Sequence, residues 1–302
     1  MDPLTPWEFL QDLTNPQLAF LGKALAVSML SAVVCGVVGC HVVLRGMAFI
    51  GDAVAHAVFP GLAVAFVVQG NLVLGGAVAG LLTAVLVAVF SQHRRIREDS
   101  IIGVLFAAAF ALGIVIISTS PGYAGSLQGF LFGSIVGIPD RDVVIVAVTC
   151  ATLLLINLAF HKELVATHLD REMARAMGLR VFWLDLLLYV MVTLAVVVSV
   201  QTIGNILVLA LLVTPAATAR LLTDRLGVMM LLAPLIGSAS ALVGVYLSWS
   251  YDVATGGTIV LVATGAFVLA FVFAPRHGVV SRLLRRGTQP AGDKPVVTVA
   301  GA

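Results

Sequence analysis

Charge is scarce in this chain. Of its 302 residues, 17 are Lys or Arg and 15 are Asp or Glu, so 11% are charged, against about 25% in an ordinary soluble domain. The net charge of +2 offers no strongly basic surface, which argues against a nucleic-acid partner. Cysteine is scarce too, because Cys35, Cys40 and Cys150 are the only three and none has the CxxC spacing of a metal site. We expect them to be buried packing residues.

The motifs of soluble enzymes are missing as well. The sequence has no GxxxxGK[ST] phosphate loop, no HExxH and no GxSxG. If ATP drives this protein, hydrolysis is therefore expected on a separate chain, and no permanently bound cofactor is expected. Residues 1–17 lack the basic start and small-residue cleavage pattern of a signal peptide, so we expect them to remain as an N-terminal segment.

Hydrophobic residues predominate in the chain. Hydrophobic residues make up 60% of it and the mean hydropathy is +1.10, which indicates an integral membrane protein. Runs such as "LAVVVSV" are apolar on every side, which favours helices over the alternating strands of a membrane barrel. We therefore predict an all-α polytopic membrane helical bundle with 8 to 9 transmembrane helices. The candidate spans are Leu18–Leu44, Gly46–Val68, Leu72–Phe90, Ile101–Ser118, Val143–Phe160, Trp183–Val200, Ile203–Leu222, Val228–Trp249 and Thr258–Ala274.

One segment and the C-terminal tail do not fit a simple span. Ser126–Asp142 is too rich in glycine for a spanning helix and too apolar for a solvated loop, so we expect a short or re-entrant helix. Residues 18–275 then form one transmembrane permease-like domain, and residues 276–302 form a disordered tail. Glycine-rich strings such as "GGAVAG" are expected to allow close packing of helices.

The basic loops predict the orientation. Lys and Arg concentrate in three connections and at Arg220 and Arg225, whereas the opposite turns contain neither. Since such residues mark the cytoplasmic side, the C-terminus is predicted to be cytoplasmic. The basic connections are Gln92–Asp99, His161–Arg180 and Arg276–Arg286.

A short polar sequence interrupts the second predicted span. In "RGMAFIGDAVAHAVFPG" (Arg45 to Gly61), Asp52, His56 and Pro60 follow one another at intervals of four residues. Residues four apart lie about 40° apart around a helix and about 6 Å along it, so both side chains can face one cavity. Carboxylate and imidazole together suit zinc or manganese, and Pro60 would bend the helix. The structural alternative is that Asp52 pairs with Arg45 and His56 bonds a backbone carbonyl.

Two further positions are candidates for lining a pathway. Pro215 lies inside a span, where a packing kink is the alternative role. Asp252 lies in the turn "SYDVATGG", where it would either attract cations or cap the turn.

The depth of His56 in the membrane can be estimated from the sequence. Counted along a continuous helix from Arg45, His56 lies about 16 Å inward, near the middle of a bilayer about 30 Å thick. This depth favours a translocation site.

Residues 161–182 are predicted to form a cytoplasmic coupling loop with a short amphipathic helix. In "LDREMARAMGL", an apolar stripe is flanked by charged side chains, including Glu172. The stripe is Leu169, Met173 and Ala176, the predicted N-cap is Asp170 and the predicted stop is Gly178. Such a helix needs a surface to cover its stripe, which is either a partner protein or the membrane.

Several blocks of sequence together resemble one family. "VVLRGMAFIGDAVAHAVFPGLAVAF", "LFGSIVGI", "LDREMARAMGL" and "QTIGNILVLALLVTPAATARLL" are similar to the permease subunits of bacterial manganese and zinc ABC importers, including the high-affinity zinc-uptake permeases. The resemblance covers residues 18 to 275, and "STSPGYAGSLQGFLFGSIVGIP" looks closest to the actinobacterial anchored-repeat-type members. His41 stands where the family pattern has an apolar or aromatic residue, so it is a candidate pathway residue rather than a ligand.

The resemblance implies the biology of an importer. It implies a multi-pass protein of the bacterial cell membrane, a permease homodimer, a cytoplasmic ABC ATPase subunit and an extracytoplasmic metal-binding protein. It also implies that "DREMARAMGL" is the coupling helix that docks on the ATPase, and that zinc or manganese passes Asp52 and His56 by alternating access. Two alternatives stay open, which are a proton-coupled secondary metal transporter and an ABC permease for a metal chelate.

Overall fold

The computed structural model describes residues 5–47, 49–92, 96, 98–118, 138–274 and 278, and no β-strand occurs among them. Backbone polar groups find no partners in hydrocarbon, so apolar sequence of this length forms helices. The helices of the bundle are α2 (Ala19–Leu44), α3 (Ile50–Ala57), α4 (Phe59–Val67), α5 (Leu72–Phe90), α6 (Glu98–Ser118), α7 (Asp140–Ala159), α10 (Val181–Ile203), α11 (Asn205–Leu222), α12 (Leu226–Tyr251) and α13 (Thr255–Phe273). The helices outside it are α1 (Pro6–Thr14), α8 (His161–Leu169) and α9 (Arg171–Ala176).

The all-helical, membrane-spanning class is confirmed. Within the described residues, seven spans are long and apolar enough to cross a bilayer, α3 and α4 counting together as one, and Leu74–Phe90 and Leu207–Leu222 are shorter apolar helices. The predicted second span begins at Ile50 rather than Gly46. Of the segment 126–142, residues 126–137 lie outside the described residues, as does the tail apart from Gly278.

Helix α2 is the centre of the bundle. Its residues from Ser31 onward are mostly buried, and α10, α11 and α12 pack around it. Small residues allow this packing. A Cβ at Gly36 would lie 2.9 Å from the Pro234 nitrogen of α12, and a Cβ at Gly39 would lie 3.0 Å from the Leu212 carbonyl carbon of α11. The prediction of close helix packing at glycine is confirmed elsewhere by Gly75 of α5, which crosses α4 at Gly61.

The N-terminal segment forms a helix that the sequence analysis did not predict. Thr5 and Glu8 form a capping box at the start of α1. Phe9 packs edge to face on Tyr246 of α12 with ring centroids 5.4 Å apart, and Trp249 donates a hydrogen bond of 2.8 Å to Asp12. Helix α1 therefore lies against the end of the bundle at which α12 finishes. We call this the opposite end, because it lies across the bundle from the basic end described next.

The other end of the bundle, which we call the basic end, contains the termini of α2, α5 and α7, the start of α6, and the helices α8 and α9. Arg45 at the end of α2 pairs there with Glu98 at the start of α6. At the opposite end, Lys23 near the start of α2 lies 2.6 Å from Asp140 at the start of α7. The three cysteines are buried and free, as predicted.

Candidate functional site

The turn before α3 explains where the helix that carries Asp52 and His56 begins. Gly46 adopts φ +69°, a conformation that favours glycine. The Gly46 N–H donates to Val43 O and the Met47 N–H donates to Val42 O, each at 3.1 Å. These two bonds form a Schellman motif, which ends α2 and redirects the chain. Helix α3 then starts at Ile50, so Asp52 lies in its first turn.

Asp52 and His56 lie together as their spacing predicts. The His56 Nε2 atom is 3.4 Å from Asp52 Oδ1, and the two side chains are 22% and 32% exposed. The His56 ring also packs against two aromatic rings of α6, with centroid distances of 5.3 Å to Phe106 and 5.0 Å to Phe110. The pair is thus partly open, with one wall formed by α6.

The alternative pairing of Asp52 with Arg45 does not occur. Arg45 instead lies 2.9 Å from Asp185 Oδ1 and 3.2 Å from Glu98 Oε1. The Asp52 carboxylate lies beside the imidazole of His56 instead, with 3.4 Å between Asp52 Oδ1 and His56 Nε2. The Asp52 carboxylate is 32% exposed and has further lone pairs, so it can still accept a cation.

Pro60 interrupts the helix as predicted. Helix α3 ends at Ala57 and α4 begins at Phe59, with Pro60 in its first turn. Pro60 has no N–H to donate to the carbonyl of His56, four residues earlier. Helix α6 approaches closely at this point, since a Cβ at Gly113 would lie 3.0 Å from the Pro60 nitrogen. The break between α3 and α4 therefore sets the direction in which the chain continues after Asp52 and His56.

The remaining pathway candidates have other surroundings. His41 is fully buried, with Nε2 2.7 Å from Asn157 Oδ1 and Nδ1 3.3 Å from His168 Nδ1, so it joins α2 to α7 and α8. Pro215 is buried in α11, where its Cγ would lie 3.4 Å from a Cβ at Gly237 of α12. Asp252 is exposed and ends α12 with φ 51°. His41 and Pro215 thus pack between helices, and Asp252 terminates a helix.

The pair alone is an incomplete ligand set. Among the residues that the structure describes, no group of three or more His, Cys, Asp or Glu side chains is placed to hold a metal ion. Asp52 and His56 offer two protein ligands, whereas zinc takes four and manganese prefers six. Either ion would therefore need ligands in addition to Asp52 and His56.

The short helix in the basic loop has the predicted caps. Asp170 accepts hydrogen bonds from the backbone N–H of Glu172 at 2.8 Å and of Met173 at 3.1 Å. Gly178 ends α9 with φ +83°. The predicted stripe is exposed, and Met177 extends it. Its members are Leu169, Met173, Ala176 and Met177.

Four charged side chains at the basic end form a closed ring that the sequence analysis missed. Arg171 of α9 lies 2.5 Å from Glu98 Oε1 and contacts Asp185 Oδ2 of α10, and Arg45 contacts the same two carboxylates. We call these four residues the charge ring. Burial would lower the pKa of Arg171, but Asp185 and Glu98 outweigh it and raise that pKa. Asp185 could have been singled out from the sequence alone, because it is an acidic residue inside a predicted span.

A cavity of about 530 Å³ opens beside the charge ring at the basic end. Its walls include Arg45, Met47, Glu98, His168 and Arg171. It therefore lies between the end of α2, the start of α6 and the two short helices α8 and α9. Helix α9 therefore forms part of the cavity wall.

Comparison with known proteins agrees with this architecture. The chain is 43% identical over 267 residues to the manganese transport system membrane protein MntC of Halalkalibacterium halodurans, with 88% of this chain and 91% of that protein covered. It is 37% identical over 266 residues to the chelated iron transport system membrane protein YfeC of Yersinia pestis, with 88% and 90% covered.

A solved structure is similar as well. PsaBC from Streptococcus pneumoniae, in complex with Fab, matches with a TM-score of 0.80 and 35% identity, covering 94% of this chain and 100% of that one. The model of the ABC 3 transport family matches residues 17–274, which include every helix of the bundle. The chain is therefore a member of the ABC 3 transport family.

Proposed function

We propose that this protein is the permease subunit of an ABC importer that carries divalent metal ions, manganese first and zinc second, into the cytoplasm. The observation that carries the proposal is the Asp52–His56 pair on a proline-interrupted helix. A carboxylate and an imidazole suit both ions. The manganese transport system protein at 43% identity supports manganese as the first ion to test.

The metal site is completed by a second copy of the chain. The pair supplies only two ligands, and it is partly exposed in the single protomer. A homodimer that places two such pairs face to face would offer two carboxylates and two imidazoles, with water completing the coordination. Because water occupies part of the coordination sphere, the ion can exchange ligands and be released, which import requires.

Energy comes from a separate cytoplasmic ATPase that docks on α9. The exposed stripe of Leu169, Met173 and Met177 supports this role, because a capped helix with apolar side chains facing outward needs a partner to cover them. The basic end then faces the cytoplasm, in agreement with the distribution of Lys and Arg. An extracytoplasmic binding protein delivers the metal at the opposite end.

The test of the metal site is uptake of ⁵⁴Mn and ⁶⁵Zn by proteoliposomes that contain the permease, its ATPase and the binding protein. Asp52→Asn and His56→Ala should each lower uptake by about tenfold or more, since even partners of ligands cost about 10- to 100-fold. His161→Ala is the matched control, because His161 begins α8 outside the spans. Normal uptake by both site variants would remove Asp52 and His56 from the mechanism.

The test of docking is co-purification. Met173→Asp combined with Ala176→Asp should leave a folded membrane protein that no longer retains the ATPase, because two buried charges would face the apolar contact. Val253→Asp is the matched control, since Val253 is apolar and exposed at the opposite end. Retention of the ATPase by the double variant would assign α9 to the membrane surface instead.

Two other transport classes give different results in the same vesicles. A proton-coupled transporter would move metal without the ATPase and would respond to a pH gradient. A permease for a metal chelate would move iron only with its chelator, and the 37% identity to a chelated iron transport system protein makes iron worth including. Free manganese uptake that depends on ATP separates our proposal from both.

A further inference from the structure

The charge ring is a closed circuit of ion pairs. Each arginine lies between two carboxylates and each carboxylate lies between two arginines, so the four charges alternate around the ring and sum to zero. The distances are 2.9 Å from Arg45 to Asp185, 3.2 Å from Arg45 to Glu98 and 2.5 Å from Arg171 to Glu98, and Arg171 also contacts Asp185. Loss of any member breaks two of the four contacts.

The ring is unusual for a protein surface because three of its members are largely removed from solvent. The side chains of Asp185, Arg45 and Glu98 are 1%, 7% and 19% exposed, whereas Arg171 is 34% exposed. Tyr189, one turn after Asp185 on α10, places its ring 5.6 Å from the Arg45 guanidinium. Buried charges must keep their partners, because a buried charge that loses its partner is strongly destabilising.

The charge ring joins α9, the helix proposed to dock on the ATPase, to two parts of the proposed metal site. These are α6, which forms one wall, and the turn that precedes α3. Arg171 is the first residue of α9. Glu98 is the first residue of α6, the helix whose Phe106 and Phe110 pack against His56. Arg45 ends α2, immediately before the turn into α3. A displacement of α9 therefore pulls on the helix that carries the pair and on the helix that covers it.

We propose that Arg171 is a positioning residue that transmits movement of the docked α9 through the charge ring to α6 and α3. The inference rests on the proposed function. Arg171 suits this role because its guanidinium is always charged and can bind two carboxylates at once. The neighbouring cavity of about 530 Å³ leaves room for α9 to move while the ring holds it to the bundle.

The experiment compares manganese transport with ATP hydrolysis in the reconstituted importer. Arg171→Ala should leave α9 docked and the ATPase active, but should lower the manganese imported per ATP hydrolysed by about tenfold, within the usual range of coupling between sites. Arg220→Ala is the matched control, since Arg220 is an exposed arginine at the same end with its own Asp224 contact of 3.5 Å. It should leave that ratio unchanged.

A second variant separates coupling from folding. Arg171→Ala leaves two carboxylates against one arginine, whereas Arg171→Ala with Asp185→Asn leaves the neutral pair of Arg45 and Glu98. The double variant should recover any lost thermal stability and remain uncoupled, because the contacts of Arg171 with Glu98 and Asp185 are still missing. A normal ratio of manganese to ATP in either folded variant would overturn the inference.

Failure of the proposed function gives a different pattern. If the wild-type importer hydrolyses ATP without importing manganese or zinc, the proposed function fails before any variant is made. If the wild type imports metal and both Arg171 variants do so with the same ratio, only the inference about the charge ring fails.

Discussion

Gly39 is the position at which the packing of the bundle is most sharply testable. A Cβ at this position of α2 would lie well inside contact distance of the Leu212 carbonyl oxygen of α11, 3.0 Å from the Leu212 carbonyl carbon and 3.4 Å from Ala216 Cβ. Two of these three atoms belong to helix backbone, which cannot move aside by changing a rotamer. Gly39→Ala must therefore push α11 away from α2.

The matched control lies on the same helix. A Cβ at Gly22 would meet only the Leu13 carbonyl oxygen, at an ordinary distance of 3.8 Å. Gly22→Ala should thus gain the helix preference of alanine, about 0.5–1 kcal/mol. Gly39→Ala should lose about 1–3 kcal/mol to overpacking. Since Gly39→Ala gains the same helix preference, that term cancels, and the two variants should differ by the overpacking cost of about 1–3 kcal/mol.

The effect should extend to the metal site through Leu212. The side chain of Leu212 also fills the space beside Gly51 of α3, where a Cβ would lie 2.6 Å from Leu212 Cδ2. Leu212 therefore separates Gly39 from Gly51, the residue directly before Asp52. Moving α11 outward removes the support for the first turn of α3, so Gly39→Ala should lower manganese uptake as well as stability.

The assay is thermal unfolding in detergent, followed by circular dichroism, together with manganese uptake in vesicles. At about 2–4 °C per kcal/mol, a difference of about 1–3 kcal/mol should separate the two melting temperatures by about 2–12 °C. A Gly39→Ala protein that melts with Gly22→Ala and imports manganese normally would contradict the described contact between α2 and α11.

Two further predictions concern single side chains. Burial lowers the pKa of His168 from 6.5 to about 3, with smaller contributions from His41, Arg45 and Arg171. Between these values the unfolded chain binds a proton that the folded chain does not, so stability decreases as the pH decreases, by roughly 2 kcal/mol from pH 7.5 to pH 5. His168→Gln should melt with a smaller dependence on pH over that interval, and an unchanged dependence would contradict the assignment. Asp252 has φ 51°, so Asp252→Val should cost about 1–2 kcal/mol, whereas Asp252→Gly should keep both stability and uptake. Loss of uptake in Asp252→Gly would return Asp252 to the pathway.

Some helix ends could be predicted because they depend on residues that are close together in the sequence. Both ends of α5 were predicted at Leu72 and Phe90 from the limits of an apolar run, and in the structure Asn71 caps the helix by accepting a hydrogen bond of 3.2 Å from the Leu74 N–H. The caps of α9 were predicted because Asp170 and Gly178 are residue types that favour those positions. Helix α1 was missed although Thr5, Pro6 and Glu8 form the pattern of a capping box with proline at the first position.

Other features depend on contacts between distant residues. The end of α2 at Leu44 was predicted, but the start of α3 was placed too early because the sequence from Gly46 to Gly51 has no charged residue to separate it from the span. The turn at Gly46, with φ +69°, could not be predicted from this pattern. The charge ring was missed because Arg45, Glu98, Arg171 and Asp185 come from four helices, and no local pattern pairs them. The spacing of Asp52 and His56 predicted their proximity but could not reveal Phe106 and Phe110 as their neighbours.

The later start of α3 changes where the metal site lies along the bundle. His56 is six residues after Ile50 and eleven before Val67, which corresponds to about 9 Å from the basic end of this span and about 16 Å from its other end. A metal that enters at the opposite end, as we propose, travels the longer distance to reach the pair. The remaining path to the basic end is short, and it begins beside Arg45 of the charge ring. Control of release therefore needs only a small movement at the basic end, where the docking helix and the charge ring meet.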